Sequence, residues 1–143
     1  MAKINIASDV ASECQSTHTI IVTGDRYWTD YAFIFGILRD WHSEYHVALL
    51  VHGACRGADE ICDLAASALY IPRKPYPAEW DRLGLGAGPQ RNRLMLHQHP
   101  EARVVLAFHD HIVASKGTAD MVRVSVRMGK QVVVYSHNGV EFL

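Results

Sequence analysis

The clearest structural signal in this chain lies at residues 48–59, which read ALLVHGACRGAD. Four apolar residues, Ala48–Val51, predict a short buried strand, and the apolar-periodic segment that starts near Ala58 predicts a helix. Gly53 and Gly57, four residues apart, predict a tight turn between the two elements. Such a turn places free backbone N–H groups at the positive end of a helix, and Arg56 adds a positive charge. The pattern therefore suits either an anion site or a plain strand-to-helix connection.

The composition is that of one ordinary soluble domain. With 143 residues, of which 49% are hydrophobic and 20% charged, the chain is long enough to bury one core. Its formal net charge of -1 and the lack of a basic helix stripe argue against direct nucleic-acid binding, so any anion recognition has to be local. The sequence contains no apolar run near the ~20 residues of a membrane span and no signal-peptide core at its N-terminus. We therefore expect a cytoplasmic protein without membrane contact.

Neither the cysteines nor the histidines show the spacing of a metal site. Cys14, Cys55 and Cys62 are odd in number and have no metal or redox spacing, so we expect reduced thiols. Two of the nine histidines, His109 and His111, lie close together, but no third ligand is set by spacing. We interpret their segment as a solvent-exposed loop and expect neither a metal ion nor a cofactor.

Short apolar strands alternate with amphipathic helices along the rest of the chain. Such alternation indicates a parallel sheet covered on both faces, and the three prolines of residues 71–77 confine that segment to a sheet edge. We therefore predict the α/β class, as a single Rossmann-like three-layer domain over residues 19–143 with a mostly parallel sheet of about five strands. A loosely held arm, residues 1–18, with a possible strand at Ile4–Ala7, is expected before it. The predicted strands are 19–24, 47–51, 103–108 and 131–135, and the predicted helices are 30–45, 58–70, 89 onward and 116–128.

Polar turns follow three of these strands, and parallel strands bring their carboxyl ends to one edge of the sheet. Cations and helix N-termini suit phosphates, whereas carboxylates can hold ribose hydroxyls or activate water. A nucleotide-like small molecule fits this mixture, with Trp28, Tyr76 and Trp80 as candidates for stacking on a base, although at least one belongs in the core. Asp59 either caps its helix or contacts a ribose or a water. The predicted ligand-binding residues are Thr23, Gly24, Asp25, Arg26, Gly53, Arg56, Gly57, Asp59, Arg91, Asn92, Lys116, Gly117, Thr118 and Asp120.

Five motifs are spread in collinear order over residues 19–135: Val22–Arg26, His52–Asp59, Pro77–Trp80, Ala87–Met95, and the pair Ala107-Phe108 with Lys116–Val122. Together they resemble the YspA/YpsA-related branch of the SLOG superfamily. The resemblance implies a Rossmann-like domain that binds nucleotides or nucleotide-derived ligands. The superfamily includes DprA-type DNA-processing proteins and the Lonely-Guy phosphoribohydrolases. Relatives of this fold commonly pair, so the resemblance also implies a homodimer or higher homo-oligomer.

Two functions fit the sequence. The first is binding, as sensing or sequestration, of a phosphorylated nucleoside or a nucleotide-derived molecule. The alternative is N-glycosidic hydrolysis of a nucleoside monophosphate, which the similar phosphoribohydrolases perform with an Arg and the Glu that ends a PGGxGTxxE motif. This chain keeps the Gly-Thr pair at Gly117 and Thr118, but the Glu register falls on Met121. The resemblance then makes Arg91 and the nearest carboxylate, Asp120, the candidate catalytic residues of the alternative.

Overall fold

The computed structural model describes residues 18–143 of the chain. Within this range a six-stranded sheet carries helices on both faces, which confirms the predicted α/β, Rossmann-like architecture. The predicted arm, residues 1–18, lies outside the described residues except for His18, which begins the first strand. The possible strand at Ile4–Ala7 and Cys14 also lie outside them.

Strands and helices alternate along the described chain. No helix between residues 18 and 143 is long and apolar enough to cross a membrane. The strands are β1 (His18–Gly24), β2 (Val47–His52), β3 (Arg73–Pro75), β4 (Val104–Phe108), β5 (Gln131–Ser136) and β6 (Gly139–Phe142). The helices are α1 (Tyr31–Tyr45), α2 (Ala58–Ala68), α3 (Trp80–Leu83), α4 (Ala87–Gln98) and α5 (Gly117–Arg127), with 3-10 turns at Gly84–Gly86 and Ile112–Ala114.

The strand order β3-β2-β1-β4-β5-β6 places β1 at the point where the chain changes its winding direction. From β1 the chain moves outward through β2 to β3, and it then returns to the other side of β1 to form β4. The first five strands are parallel, whereas β6 runs antiparallel to β5. In open α/β sheets ligands bind beyond the carboxyl ends of the strands at such a switch point, here between β1 and β4.

Three elements differ from the sequence prediction. The third long helix begins at Ala87, two residues before Pro89, because a proline is tolerated in the first helical turn, where its missing N–H would have no intrahelical acceptor. The segment before it, predicted as irregular, contains the short helix α3. The sheet also gains a sixth strand, β6, which is four residues long and exposed throughout, so the alternation of Val140, Glu141 and Phe142 is too short to predict it.

The two faces of the sheet bury separate apolar clusters. Alternate residues of each strand point to opposite faces, so that Ile20 and Val22 pack toward α1 and α2, whereas Ile21 packs toward α4 and α5. From the helices, Trp41 fills the first cluster and Met121 the second, and both are at most 1% exposed. With both faces covered by helices, a ligand can reach the sheet only at the ends of its strands, and open α/β sheets bind ligands at the carboxyl ends.

Candidate functional site

The turn after β1 is held against β4 and against the start of α2. The Asp25 N–H donates to the carbonyl oxygen of Phe108 (2.8 Å), and the Asp25 carbonyl accepts from the Ala58 N–H (2.9 Å). A Cβ on Gly24 would lie 2.5 Å from the Phe108 oxygen and 2.6 Å from the Cβ of Ala58, so only glycine fits there. The turns that follow β1 and β2 are therefore joined through their backbones.

The turn after β2 is organised around the side chain of Asp59, which is only 4% exposed. Its Oδ2 accepts from the backbone N–H groups of Gly53 (3.1 Å) and Cys55 (3.2 Å), whereas its Oδ1 is buried without a hydrogen-bond partner among residues 18–143. Burial raises the pKa of Asp59, although the Cys55 N–H and the charge of Arg91 act in the opposite direction. Two N–H groups that would suit an external anion thus bind a carboxylate of the chain itself. The role of Asp59 is therefore to stabilise the turn.

Helix α4 places Arg91 over the same turn. Its guanidinium donates to the carbonyl oxygen of Gly53 and lies 3.6 Å from the Cys55 Sγ, and its Nε donates to the Oδ1 of Asn92 (2.9 Å). A Cβ on Gly53 would lie 2.5 Å from the guanidinium, so the absence of a side chain there allows this approach. The donors of Arg91 therefore brace the turn after β2.

Asp120 ties α4 to α5. Its Oδ2 accepts from Asn92 (3.1 Å) and Arg93 (3.3 Å), and its Oδ1 accepts from Arg123 (2.8 Å). The Asn92 amide also donates to the carbonyl oxygen of Gly117 at the start of α5 (3.3 Å). Two guanidinium groups neutralise this carboxylate. Asp120 therefore stabilises the junction of the two helices.

Comparison with known proteins identifies the family of this chain. Residues 18–83 match the model of the family described as "YAcAr: YspA, cpYpsA-related SLOG family". The "Gene 61 protein" of Mycobacterium phage D29 is 30% identical over 120 residues, which cover 80% of this chain and 93% of that protein. The chain belongs to the YspA/cpYpsA-related SLOG family. This finding confirms the resemblance that the five motifs carry.

A solved structure shows the same fold as this SLOG domain. The DNA processing protein A (DprA) from Streptococcus pneumoniae is similar over 82% of this chain, with a TM-score of 0.62 and 15% sequence identity. The chain covers 50% of the DprA chain. At this level of identity the likeness concerns the fold, and it supports the Rossmann-like assignment.

In the described part of the chain, three of the predicted cationic residues of the SLOG domain have exposed, unpaired side chains at the carboxyl edge of the sheet. Arg26 follows β1, Arg56 follows β2 and Lys116 precedes α5, and all three side chains are exposed. None of them forms a hydrogen bond or ion pair through its side chain within residues 18–143. Helix α5 begins without a side-chain cap from Lys116, and nothing lies within 4 Å of a Cβ on Gly117. The three cations and the backbone N–H of Gly117 at the start of α5 are thus available to an anion, whereas the Thr118 N–H already donates to Ser115.

The remaining predicted residues are divided between the core and the edge. Thr23 and Thr118 are buried, at 9% and 4% exposed, and the Thr118 N–H donates to the Ser115 Oγ (3.0 Å). Among the candidate stacking residues, Trp28 and Tyr76 are also buried, whereas Trp80 is 47% exposed. Within residues 18–143 no group of three or more His, Cys, Asp or Glu side chains is arranged for a metal ion.

His137, in the turn between β5 and β6, is a titratable residue of this edge that sequence reasoning missed. Its Nδ1 lies 2.8 Å from a carboxylate oxygen of Asp110, and its Nε2 lies 2.8 Å from a carboxylate oxygen of Asp30. The imidazole stacks on Trp28, with ring centroids 4.7 Å apart and planes at 14°. No local pattern marks this residue, because its partners come from the loops after β1 and β4. It joins the loops that follow β1, β4 and β5.

We expect His137→Gln to lower the melting temperature only within a defined pH range. Hydrogen bonds that His137 donates to Asp30 and Asp110 raise the pKa of His137 above its ordinary 6.5, and His137 lowers the pKa values of both carboxyls below 3.8. The ion pairs therefore stabilise the fold fully between about pH 4 and pH 6.5, and this contribution is lost as the pH rises through the raised pKa of His137 or falls through the lowered pKa values of the carboxyls. Melting curves of both proteins from pH 3 to 9 measure the difference. His97→Gln, an exposed change on α4, is the control, and a difference independent of pH would contradict the prediction.

Proposed function

We propose that this protein binds a phosphorylated nucleoside, or a nucleotide-derived small molecule, at the carboxyl edge of its sheet, for sensing or sequestration. The observation that carries the proposal is the set of three exposed cations without a protein partner in residues 18–143, Arg26, Arg56 and Lys116. They come from three separate loops, which hydrogen bonds and close backbone contacts join into one surface. An edge of this kind, with no matching carboxylates on these cations, suits a ligand that brings its own negative charge.

The phosphate is expected at the start of α5 and beside these cations, outside the turn that follows β2. In that turn the Gly53 and Cys55 N–H groups already bind Asp59, whereas α5 begins with Lys116 and with the open backbone of Gly117. The positive end of an 11-residue helix adds a favourable field for an anion.

Binding without turnover is the function that the site geometry supports best. Catalysis on the ribose would need a carboxylate that faces developing positive charge, but Asp120 is neutralised by Arg93 and Arg123. Arg91 in turn is engaged by acceptors of the protein. One observation favours N-glycosidic hydrolysis as a second candidate. The Asp59 carboxyl has a raised pKa and an unpaired Oδ1, which are properties of a general acid.

Calorimetric titration tests the proposal. The panel comprises nucleoside mono- and diphosphates, ADP-ribose and ribose 5-phosphate, and each is titrated into the wild type and into Arg26→Gln, Arg56→Gln and Lys116→Gln. We expect each substitution to weaken binding of the phosphorylated ligand about 5- to 10-fold, because each removes a charge-assisted contact to phosphate. Arg127→Gln, an exposed change of equal charge on the last turn of α5, is the matched control. Wild-type protein that binds no phosphorylated compound, or equal losses in the control, would contradict the proposal.

Two further measurements separate the alternatives. Chromatography of the bound nucleotide after long incubation reveals any released base, and release that Asp59→Asn abolishes would establish hydrolysis in place of binding. A gel shift with a single-stranded oligonucleotide at several salt concentrations tests nucleic-acid binding, which we expect to be absent or much weaker than binding of the mononucleotide.

A further inference from the structure

Tyr27 is the most exposed aromatic residue of the loop after β1. Its side chain is 73% exposed, whereas its neighbour Trp28 is 5% exposed and packs against Phe33, Phe108 and His137. Trp28 is thus a core residue, whereas the side chain of Tyr27, in the turn before it, faces solvent. The sequence predicted Trp28, Tyr76 and Trp80 as stacking candidates, with at least one in the core, and Trp28 is one of the residues that the core buries.

The backbone of the turn that carries Tyr27 is ordered by hydrogen bonds. The Tyr27 N–H donates to the Oδ1 of Asp25 (2.9 Å), and the Trp28 N–H donates to the Asp25 carbonyl (3.1 Å). The Trp28 indole N–H donates to the carbonyl of Asp30 (3.0 Å). These bonds order the turn without burying the Tyr27 side chain, so the fold gains little from the aromatic ring itself. A ring presented on an ordered turn loses little conformational freedom when a ligand packs on it.

Tyr27 also lies at the position where this type of sheet takes a ligand. It follows β1 by three residues, next to the free cation Arg26, on one side of the switch point between β1 and β4. The loop after β1 therefore presents an exposed aromatic ring beside a free positive charge, which are the groups that a planar base and its phosphate would contact.

We infer that Tyr27 is the base-stacking residue of the ligand site. The inference rests on the proposed function and adds that the ligand carries an aromatic base that contributes to affinity. It assigns recognition of the base to the loop after β1 and recognition of the phosphate to Arg26, Arg56 and Lys116.

The test compares ligands with and without a base in the full-length protein. Adenosine and uridine monophosphates and ribose 5-phosphate are titrated into the wild type, Tyr27→Ala and Tyr27→Phe. We expect Tyr27→Ala to weaken binding of the tighter nucleotide at least 5-fold and to leave ribose 5-phosphate within 2-fold, because only the base stacks on the ring. Tyr27→Phe keeps the ring and is expected to bind like the wild type. Tyr70→Ala, at a 93% exposed tyrosine after α2 near the opposite edge of the sheet, is the control and is expected to change nothing.

The outcomes separate this inference from the proposed function. If the wild type binds nucleotides and Tyr27→Ala binds them equally well, or loses ribose 5-phosphate to the same extent, Tyr27 does not stack on a base and the inference is overturned. If the wild type binds none of the three compounds, the proposed function fails first and the inference fails with it. If Tyr27→Ala weakened the binding of a single-stranded oligonucleotide more than the binding of the mononucleotides, the assignment of a mononucleotide ligand would be overturned in favour of nucleic acid. Unchanged melting temperatures establish that all variants fold.

Discussion

Replacing Gly57 by alanine is expected to lower the free energy of unfolding by about 3 kcal/mol or more, through backbone strain and a steric clash. Gly57 has a φ of +73°, which L residues rarely adopt. A Cβ there would lie 2.4 Å from the carbonyl carbon and oxygen of Arg26 and from the carbonyl oxygen of Asp25. These are backbone atoms of an ordered turn, which cannot rotate away as a flexible side chain would. The turns after β1 and β2 would have to separate.

Gly129→Ala is the matched control for this prediction. Gly129 has a similar φ of +79°, but nothing lies within 4 Å of its Cβ position, so its substitution costs only the conformational strain of about 1–2 kcal/mol. Chemical denaturation of both variants measures the difference, and the separation of the turns should also abolish nucleotide binding in Gly57→Ala. Equal free energies of unfolding for the two variants would contradict the prediction, because the close packing of Gly57 on the loop after β1 would then contribute nothing to stability.

Replacing Asp59 by alanine is expected to cost about 3 kcal/mol, because it leaves two buried backbone N–H groups without an acceptor. These are the N–H groups of Gly53 and Cys55, which both donate to Oδ2. Asp59→Asn keeps an oxygen in place and is expected to cost about 1 kcal/mol or less. Denaturant unfolding at pH 7 measures both variants. If alanine and asparagine were equally destabilising, the carboxylate would not be the acceptor that orders this turn.

The difference in stability between the wild type and Asp59→Asn is expected to depend on pH. Burial raises the pKa of Asp59 above its ordinary 3.8, so the carboxyl stabilises the fold fully below pH 3.8 and this contribution is lost as the pH rises through the raised pKa. We therefore expect the wild type to lose stability relative to Asp59→Asn as the pH increases over this range. Paired unfolding curves between pH 3 and 8 measure the trend, and the opposite slope would mean that the hydrogen bonds to the carboxylate outweigh its burial.

Much of the architecture follows from local patterns. Apolar strands that alternate with amphipathic helices predict a parallel sheet with two covered faces, and the prolines of residues 71–77 place β3 at the edge. The polarity of a parallel sheet also predicts that the loops after β1, β2 and β4 lie on one side. The signal for strand β6 was weak, because the alternation of Val140, Glu141 and Phe142 is too short to distinguish an exposed strand from a loop.

Side-chain roles within the site could not be inferred in the same way. Asp59, Arg91 and Asp120 are all polar residues near the carboxyl edge, and by residue type each suits a ligand or a catalytic step. In the structure Asp59 turns inward to backbone N–H groups, Arg91 reaches Gly53, which precedes it by 38 residues, and Asp120 binds groups from α4 and α5. Each of these roles depends on the position of an acceptor or donor elsewhere in the chain.

The segment ALLVHGACRGAD at residues 48–59 shows which features follow from local sequence and which require the tertiary structure. Its residue types alone determine a buried strand, a turn on two glycines and a helix, because hydrophobic periodicity and glycine conformation are properties of neighbouring residues. Only the tertiary structure decides that the N–H groups of the turn bind Asp59, that Arg91 braces it, and that Arg56 stays free for an anion. The physical reason is that a polar group's partner is selected by three-dimensional proximity, and most partners at this edge come from loops that are distant in sequence and that only the folded sheet brings together.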